Sequence, residues 1–169
     1  MQWMARIFIG LSILVVIVGG GGYFYLTTQI YSHETEYAAN DADIAIDGYD
    51  PVAYFTFNDA VKGDPLFEAE WKGIKWHFAT VINRDLFAEN PLKYAPQYGG
   101  YSAFNMIKGY SVQGDPKVWN IIDDKLYLNY SIEARDKWLQ DVRYYISQAD
   151  IAWPQVQTTL AARQRQRSQ

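Results

Sequence analysis

The sequence predicts an α+β fold: a small domain with two β-hairpins, a short helix after the first hairpin and a C-terminal helix, preceded by one transmembrane helix. Two stretches rich in aromatic and β-branched residues surround short turns at 72–73 and 123–125, which is typical of hairpins. Apolar residues recur with helical spacing between 132 and 149. An uncharged run of apolar and small residues covers 7–26 and matches the roughly 20 residues needed to span a bilayer.

The N-terminal segment, residues 1–31, is interpreted as a membrane anchor. Aromatic residues such as Trp3 and Tyr31 lie near both ends of the apolar run, where they favour the membrane interface. Arg6 precedes the run and acidic residues follow it, so the positive-inside rule places the N-terminus in the cytoplasm and the domain outside. A signal peptide with its apolar region at 7–18, cleaved during secretion, is the alternative interpretation.

Composition divides the rest of the chain into three parts. Residues 32–43 are polar and predict a linker, residues 44–156 predict one domain, and the Gln/Arg/Ser-rich residues 157–169 predict a disordered polar tail. All 19 acidic residues lie between residues 32 and 157, so the domain is more acidic than the chain's net charge of −4. Nucleic acid is not an expected partner, because its binding needs clustered cations.

Caps, turns and periodicity predict the elements of the domain. Asp50 is placed to cap a short helix that has Pro51 at its first position. Two glycines allow a tight turn at 98–101, and no internal repeat is evident in the sequence. The other elements are expected at 68–71 and 74–79 for the first hairpin, 83–88 for the short helix, 118–122 and 126–130 for the second hairpin, and 132–149 for the last helix.

Residues 76–94 carry the most informative pattern of the chain. They read Trp-His-Phe-Ala-Thr-Val-Ile-Asn-Arg-Asp-Leu-Phe-Ala-Glu-Asn-Pro-Leu-Lys-Tyr. This segment resembles, without a gap, the motif of the YHS domain family, which is aromatic-Phe-Cys-Ser-x-x-Cys-x-x-x-Phe-x-x-x-Pro-x-x-Tyr. The framework residues are retained, whereas Ala79 and Asn83 stand at the two cysteine positions.

The resemblance extends beyond this motif to the exported single-domain YHS proteins of bacteria. It includes three further segments, 48–55, 90–101 and 126–130, together with the closing Ala152-Trp153-Pro154. It implies a small, exported protein, and in the wider family a link to metal handling through paired cysteines. Together with the predicted anchor, it places the chain at the bacterial cytoplasmic membrane with its domain in the periplasm. Ser102 occupies a third cysteine position, and the chain has no cysteine, so a thiolate site for soft metals is excluded.

Five residues are candidates for a site that lacks thiols. His77 and Met106 offer the imidazole and thioether that suit copper, although an exposed or hydrogen-bonded histidine and a core-filling methionine are the favoured explanations. Tyr98, Tyr101 and Ser102 could orient a small ligand through their hydroxyls, or the tyrosines could pack under the glycine turn. Copper is therefore a possible ligand, and no cofactor is predicted.

The sequence lacks the common catalytic motifs, including the nucleophile elbow, the phosphate-binding loop and the His-Glu-x-x-His zinc motif. We therefore expect a membrane-anchored, extracytoplasmic binding or interaction module, accessory to a membrane or envelope complex, rather than an enzyme. Its expected partners are the membrane, through residues 7–26, and a protein. A carrier of a small ligand or of copper is the alternative, and an enzyme of unknown reaction is a third.

Overall fold

The computed structural model describes residues 14–19, 22–27 and 35–167, which fall into two units, Met1–Ser32 and His33–Gln169. In the first unit, β1 (Leu14–Gly19) pairs antiparallel with β2 (Gly22–Thr27). The helix predicted over 7–26 is therefore wrong for these residues, because the β-branched residues of β1 and the aromatic residues of β2 favour strands. The rest of the predicted span lies outside the described residues. No helix in the described part of the chain is long and apolar enough to cross a membrane.

The second unit, which we call the main domain, is α+β as predicted. Two antiparallel hairpins alternate with helices, and two short 3-10 turns lie at Ile46–Gly48 and Gln97–Gly100. Both predicted hairpins and the short helix after the first of them are confirmed. The elements are α1 (Ala53–Thr56), β3 (Asp64–Trp71), β4 (Ile74–Phe78), α2 (Val81–Glu89), α3 (Pro91–Tyr94), α4 (Ala103–Met106), β5 (Asp115–Ile122), β6 (Lys125–Asn129), α5 (Ile132–Gln140) and α6 (Val142–Arg167).

The main domain extends further at both ends than composition predicts. Residues 35–38, which we call the strap, were expected to belong to a linker, yet the Ala38 amide donates to the Gly99 carbonyl at 2.7 Å. Residues 157–167 were expected to be a disordered tail, yet they continue α6 and bury Leu160 to 1% exposure. Composition does not reveal these contacts. The strap buries the small residue Ala38, and the end of α6 buries Val156 and Leu160, which are one helical turn apart among polar residues.

The strap and the end of α6 are bonded to each other. The Glu36 amide donates to Gln164 Oε1 at 3.2 Å, and the Gln157 amide donates to Glu36 Oε1 at 2.9 Å. The single C-terminal helix predicted at 132–149 is in fact two helices, because Asp141 leaves the helical conformation between α5 and α6 (φ −149°, ψ 67°).

The main domain contains an internal repeat, contrary to the expectation from sequence. A left-handed turn, a short helix, a hairpin and a nine-residue helix occur twice in the same order, at 46–89 (the first repeat) and 98–140 (the second repeat). Both hairpins contain the same register irregularity, between Asp64 and Glu68 in β3 and between Asp115 and Trp119 in β5. Such a bulge changes the course of a strand at a defined position, so its recurrence is evidence of equivalent folds.

Details of the backbone also recur at equivalent positions. A hydroxyl caps each nine-residue helix: Thr80 accepts from the Asn83 amide and Ser131 from the Ala134 amide. The residues that end these helices have nearly the same conformation, with φ −147° and ψ 76° at Asn90 and φ −149° and ψ 67° at Asp141. The two repeats therefore share a backbone plan.

Each repeat contributes most of one apolar cluster. The first cluster surrounds Trp76, Phe78 and Phe87, and the second surrounds Tyr127 and Trp138 and is covered by α6. Phe87 and Trp138 are equivalent and are both buried. The repeats meet where the Tyr54 hydroxyl donates to the Pro116 carbonyl at 2.9 Å and its ring lies 5.1 Å from that of Trp119.

Candidate functional site

Ala79 and Asn83, at the two cysteine positions of the motif that the sequence resembles, both contact the carboxylate of Asp50. The Ala79 amide donates to Asp50 Oδ2 at 2.8 Å, and the Asn83 side-chain amide donates to the same oxygen at 2.6 Å. Asp50 Oδ1 accepts from the Val52 and Ala53 amides at 2.8 and 3.2 Å. We call these five residues the Asp50 centre. Asp50 thus bonds to the amides at the start of α1 as predicted, but the helix begins at Ala53 rather than at Pro51.

Local sequence explains how the Asp50 centre forms. Thr80 caps α2 through its hydroxyl, which satisfies the Asn83 backbone amide and leaves the Asn83 side chain available for Asp50. Asp50 is fully buried, at 0% exposure, and Asn83 is buried as well. A carboxylate offers about four lone-pair positions, so four donors occupy the capacity of Asp50. The centre connects the turn before α1 to the start of α2.

The Asp50 centre differs chemically from a soft-metal site. Its side chains present oxygen and amide groups, which suit hard cations better than copper. Nowhere in residues 35–167 does the structure group three or more histidine, cysteine, aspartate or glutamate side chains so that they could hold a metal ion. Copper therefore stays a prediction of the sequence.

His77 lies on β4 and is buried, with its side chain 8% exposed. Its Nε2 atom is 3.2 Å from Glu68 Oε2, and the Glu68 carboxylate also lies 3.7 Å from the Lys75 ammonium. The alternation of β4 predicts that His77 and Lys75 share an exposed face, and only Lys75 is exposed. The difference arises because Gly48 and Gly63 lie against the His77 side chain, where a Cβ atom on either would contact it.

Met106 lies on α4 in the second repeat and is fully buried in the second apolar cluster. His77 belongs to the first repeat, so the two predicted copper ligands come from different repeats. The packing of Met106 agrees with the core-filling interpretation, since an unbranched thioether adapts to irregular space.

The three predicted ligand-binding hydroxyls are engaged inside the domain. Tyr98 donates to Asp150 Oδ1 at 2.8 Å, and Tyr101 donates to the Thr35 carbonyl at 2.7 Å. Burial raises the pKa values of Tyr98 and Tyr101 well above the ordinary value for tyrosine. Ser102 is fully buried, with its hydroxyl 3.2 Å from Asn105 Oδ1. These residues pack against the strap, α4 and α6, and their role in ligand binding stays a prediction.

Ser102 occupies the position in the second repeat that Asp50 occupies in the first. The Asp50 amide donates to the Val61 carbonyl, and the Ser102 amide donates to the Val112 carbonyl in the same way. The neighbouring side chains differ, because Ser102 faces the buried amide Asn129 at 3.4 Å rather than a set of N–H donors. The same fold position thus holds a carboxylate in one repeat and a neutral group in the other.

A polar basin of about 580 Å³ lies where the two repeats meet. The first repeat contributes Asp47, Tyr49 and Lys62, and the second contributes Gln113 and Tyr130 among others. The Lys62 ammonium contacts the Asp47 carbonyl and lies 4.7 Å from the centre of the Tyr49 ring. Sequence reasoning missed this basin, because its residues come from loops that are distant in sequence.

Comparison with protein-family models, with curated proteins and with solved structures gives no match for this chain. The YHS resemblance therefore stays a prediction from its motif residues.

Proposed function

We propose that this chain is a YHS-like interaction module that contacts another protein at the bacterial envelope. The observation that carries the proposal is the Asp50 centre. Ala79 and Asn83, at the positions that hold thiolates in YHS metal binders, both donate N–H groups to the buried carboxylate of Asp50. Such a centre stabilises the fold, and the open polar basin offers a surface to a partner.

The apolar segment at 7–26 attaches the module to the membrane, with the main domain in the periplasm. The hydrophobicity of the segment and the YHS resemblance support this location. The positive-inside rule does not contribute, because it concerns a spanning helix and β1 pairs with β2 as a hairpin. Secretion after cleavage of a signal peptide is the alternative, and the mass of the mature protein distinguishes the two.

A carrier of copper or of a small ligand is the less favoured function. Its support is weaker because His77 is paired with Glu68 and Met106 is enclosed by the core. An enzyme is less favoured as well, since neither the Asp50 centre nor the basin combines a nucleophile with a base in contact.

The test is isolation of the full chain from its native membrane in detergent. The proposal expects one protein to co-purify in a constant molar ratio through size-exclusion chromatography. A chain that elutes alone as a monomer contradicts the proposal. Titration with Cu(I), Cu(II) and Zn(II) tests the carrier alternative, and tight binding that is lost in His77→Ala would favour that alternative.

A further inference from the structure

The strap occupies a defined surface of the second repeat. It crosses the left-handed turn at 98–100, where the Ala38 amide donates to the Gly99 carbonyl at 2.7 Å. The Tyr101 hydroxyl holds the strap from the other side by donating to the Thr35 carbonyl at 2.7 Å. A side chain at Gly99 would collide with the Glu36 carbonyl. The turn is thus a cradle for an extended stretch of main chain.

The first repeat has the same turn, and the strap bonds to its first residue, where the Ile46 amide donates to the Ala38 carbonyl at 2.9 Å. The carbonyl of its middle residue, Asp47, is contacted by Lys62 instead. Ile46, Asp47 and Gly48 have φ values of 40°, 51° and 72°, close to the 53°, 63° and 80° of their counterparts Tyr98, Gly99 and Gly100. A left-handed conformation costs about 1–2 kcal/mol for a residue with a Cβ atom, and it recurs here at the β-branched Ile46. Backbone strain of this kind concentrates at functional sites.

The groups that hold the strap have counterparts that line the basin. Asp47 corresponds to Gly99, and its carbonyl contacts the ammonium of the exposed Lys62. Tyr49 corresponds to Tyr101 and is partly exposed to the basin. The first repeat therefore presents a carbonyl acceptor and a phenol donor at positions equivalent to those that bind the strap on the second repeat.

We propose that the basin binds an extended polypeptide segment in the way that the second repeat binds the strap. A main-chain amide of the segment donates to the Asp47 carbonyl after the Lys62 side chain moves away, and a main-chain carbonyl accepts from the Tyr49 hydroxyl. Lys62 is an exposed, flexible side chain, so its displacement costs little. The lysines and aspartates of the basin are equal in number, two of each, so recognition depends on the main chain rather than on net charge.

This inference rests on the proposed function and specifies the class of partner, an extended peptide with a small residue at the position of Ala38. The probe is a fluorescein-labelled synthetic peptide with the sequence of residues 33–41 of this chain. It is titrated with the full-length protein in detergent, and binding is followed by fluorescence anisotropy. A matched peptide carries proline in place of Ala38, which removes the donating N–H group.

The proposal expects saturable binding of the first peptide and no binding of the proline peptide. Tyr49→Phe removes one hydrogen bond and should weaken binding about fivefold. Tyr144→Phe, which changes an exposed phenol on α6, should leave binding unchanged. Urea unfolding of both variants checks that each is folded.

Three outcomes overturn the proposal: no binding of the first peptide, equal binding of the proline peptide, or binding that Tyr101→Phe weakens and Tyr49→Phe does not. The last outcome would mean that the peptide replaces the strap on the second repeat. The proposed function fails separately, because its test is co-purification of a partner. If a protein co-purifies but the peptide does not bind, the proposed interaction module stands and only the peptide-binding role of the basin is refuted.

Discussion

Removal of the Asp50 carboxylate should destabilise the main domain by about 4 kcal/mol. Asp50→Ala leaves four N–H groups without their acceptor. The loss of the cap on α1 costs about 1 kcal/mol, and the Ala79 and Asn83 donors each cost about 1–3 kcal/mol when left unsatisfied in the interior. The total is a large fraction of the roughly 5–15 kcal/mol that stabilises an ordinary domain.

Urea unfolding followed by tryptophan fluorescence measures this change. Trp76 packs 5.0 Å from Phe87 in the first cluster, so unfolding of the first repeat alters its emission. The control is Asp85→Ala, which removes a carboxylate that is 61% exposed and pairs with the adjacent Arg84; its effect should stay within about 0.5 kcal/mol. A loss below about 1 kcal/mol for Asp50→Ala would refute the structural role of the Asp50 centre.

Three further predictions concern the second repeat, α6 and the strap. Leu160→Ala should lower the free energy of unfolding by about 3 kcal/mol, because the Leu160 side chain is 1% exposed. Ile151 lies on the same helix and is 74% exposed, so Ile151→Ala should change it by less than about 0.5 kcal/mol. Similar losses for the two variants would argue against packing of the end of α6. Gly114→Ala should lower the free energy of unfolding by about 3 kcal/mol, because the new Cβ atom would lie 2.6 Å from the Gly100 carbonyl oxygen. Gly109→Ala should lower it by only about 1 kcal/mol, because its Cβ atom meets open space. The reverse order in urea unfolding would contradict this prediction. Burial, and secondarily the charge of Glu36, raises the pKa of Tyr37 to about 12, so its contribution to stability is present below about pH 10, the value in the unfolded chain, and is lost as the pH rises towards 12. Tyr37→Phe should therefore reduce the fall in the urea midpoint of unfolding between pH 9 and pH 11. An unchanged pH profile would refute the contribution of Tyr37.

Local signals predicted most of the elements of the main domain. The hairpins were found because Lys72, Gly73, Asp123 and Asp124 form short turns between apolar stretches, and all four adopt positive φ. The Asp50 cap was found because an acidic residue before proline satisfies the first amides of a helix. Such features depend on neighbours in the chain, so a single sequence contains them.

Contacts between distant residues were not predictable in the same way. Asp50 was recognised only as a cap, because its other partners, Ala79 and Asn83, lie 29 and 33 residues away. The repeat was missed because equivalent positions share a backbone conformation rather than a residue type, as Asp47 and Gly99 do. The apolar run at 7–26 was interpreted by length and hydrophobicity, which do not distinguish a helix from paired strands when β-branched residues dominate.

The bond between Glu36 and Gln164 brings the beginning and the end of the main domain together, with 3.2 Å between the bonded atoms. The two ends of the main domain are therefore neighbours in space. A circularly permuted protein, with a short linker from residue 167 to residue 35 and new termini between Asn90 and Gln97, would keep each repeat continuous. The strap would then become an internal loop, and the junction between the repeats would become the place where the chain starts and ends.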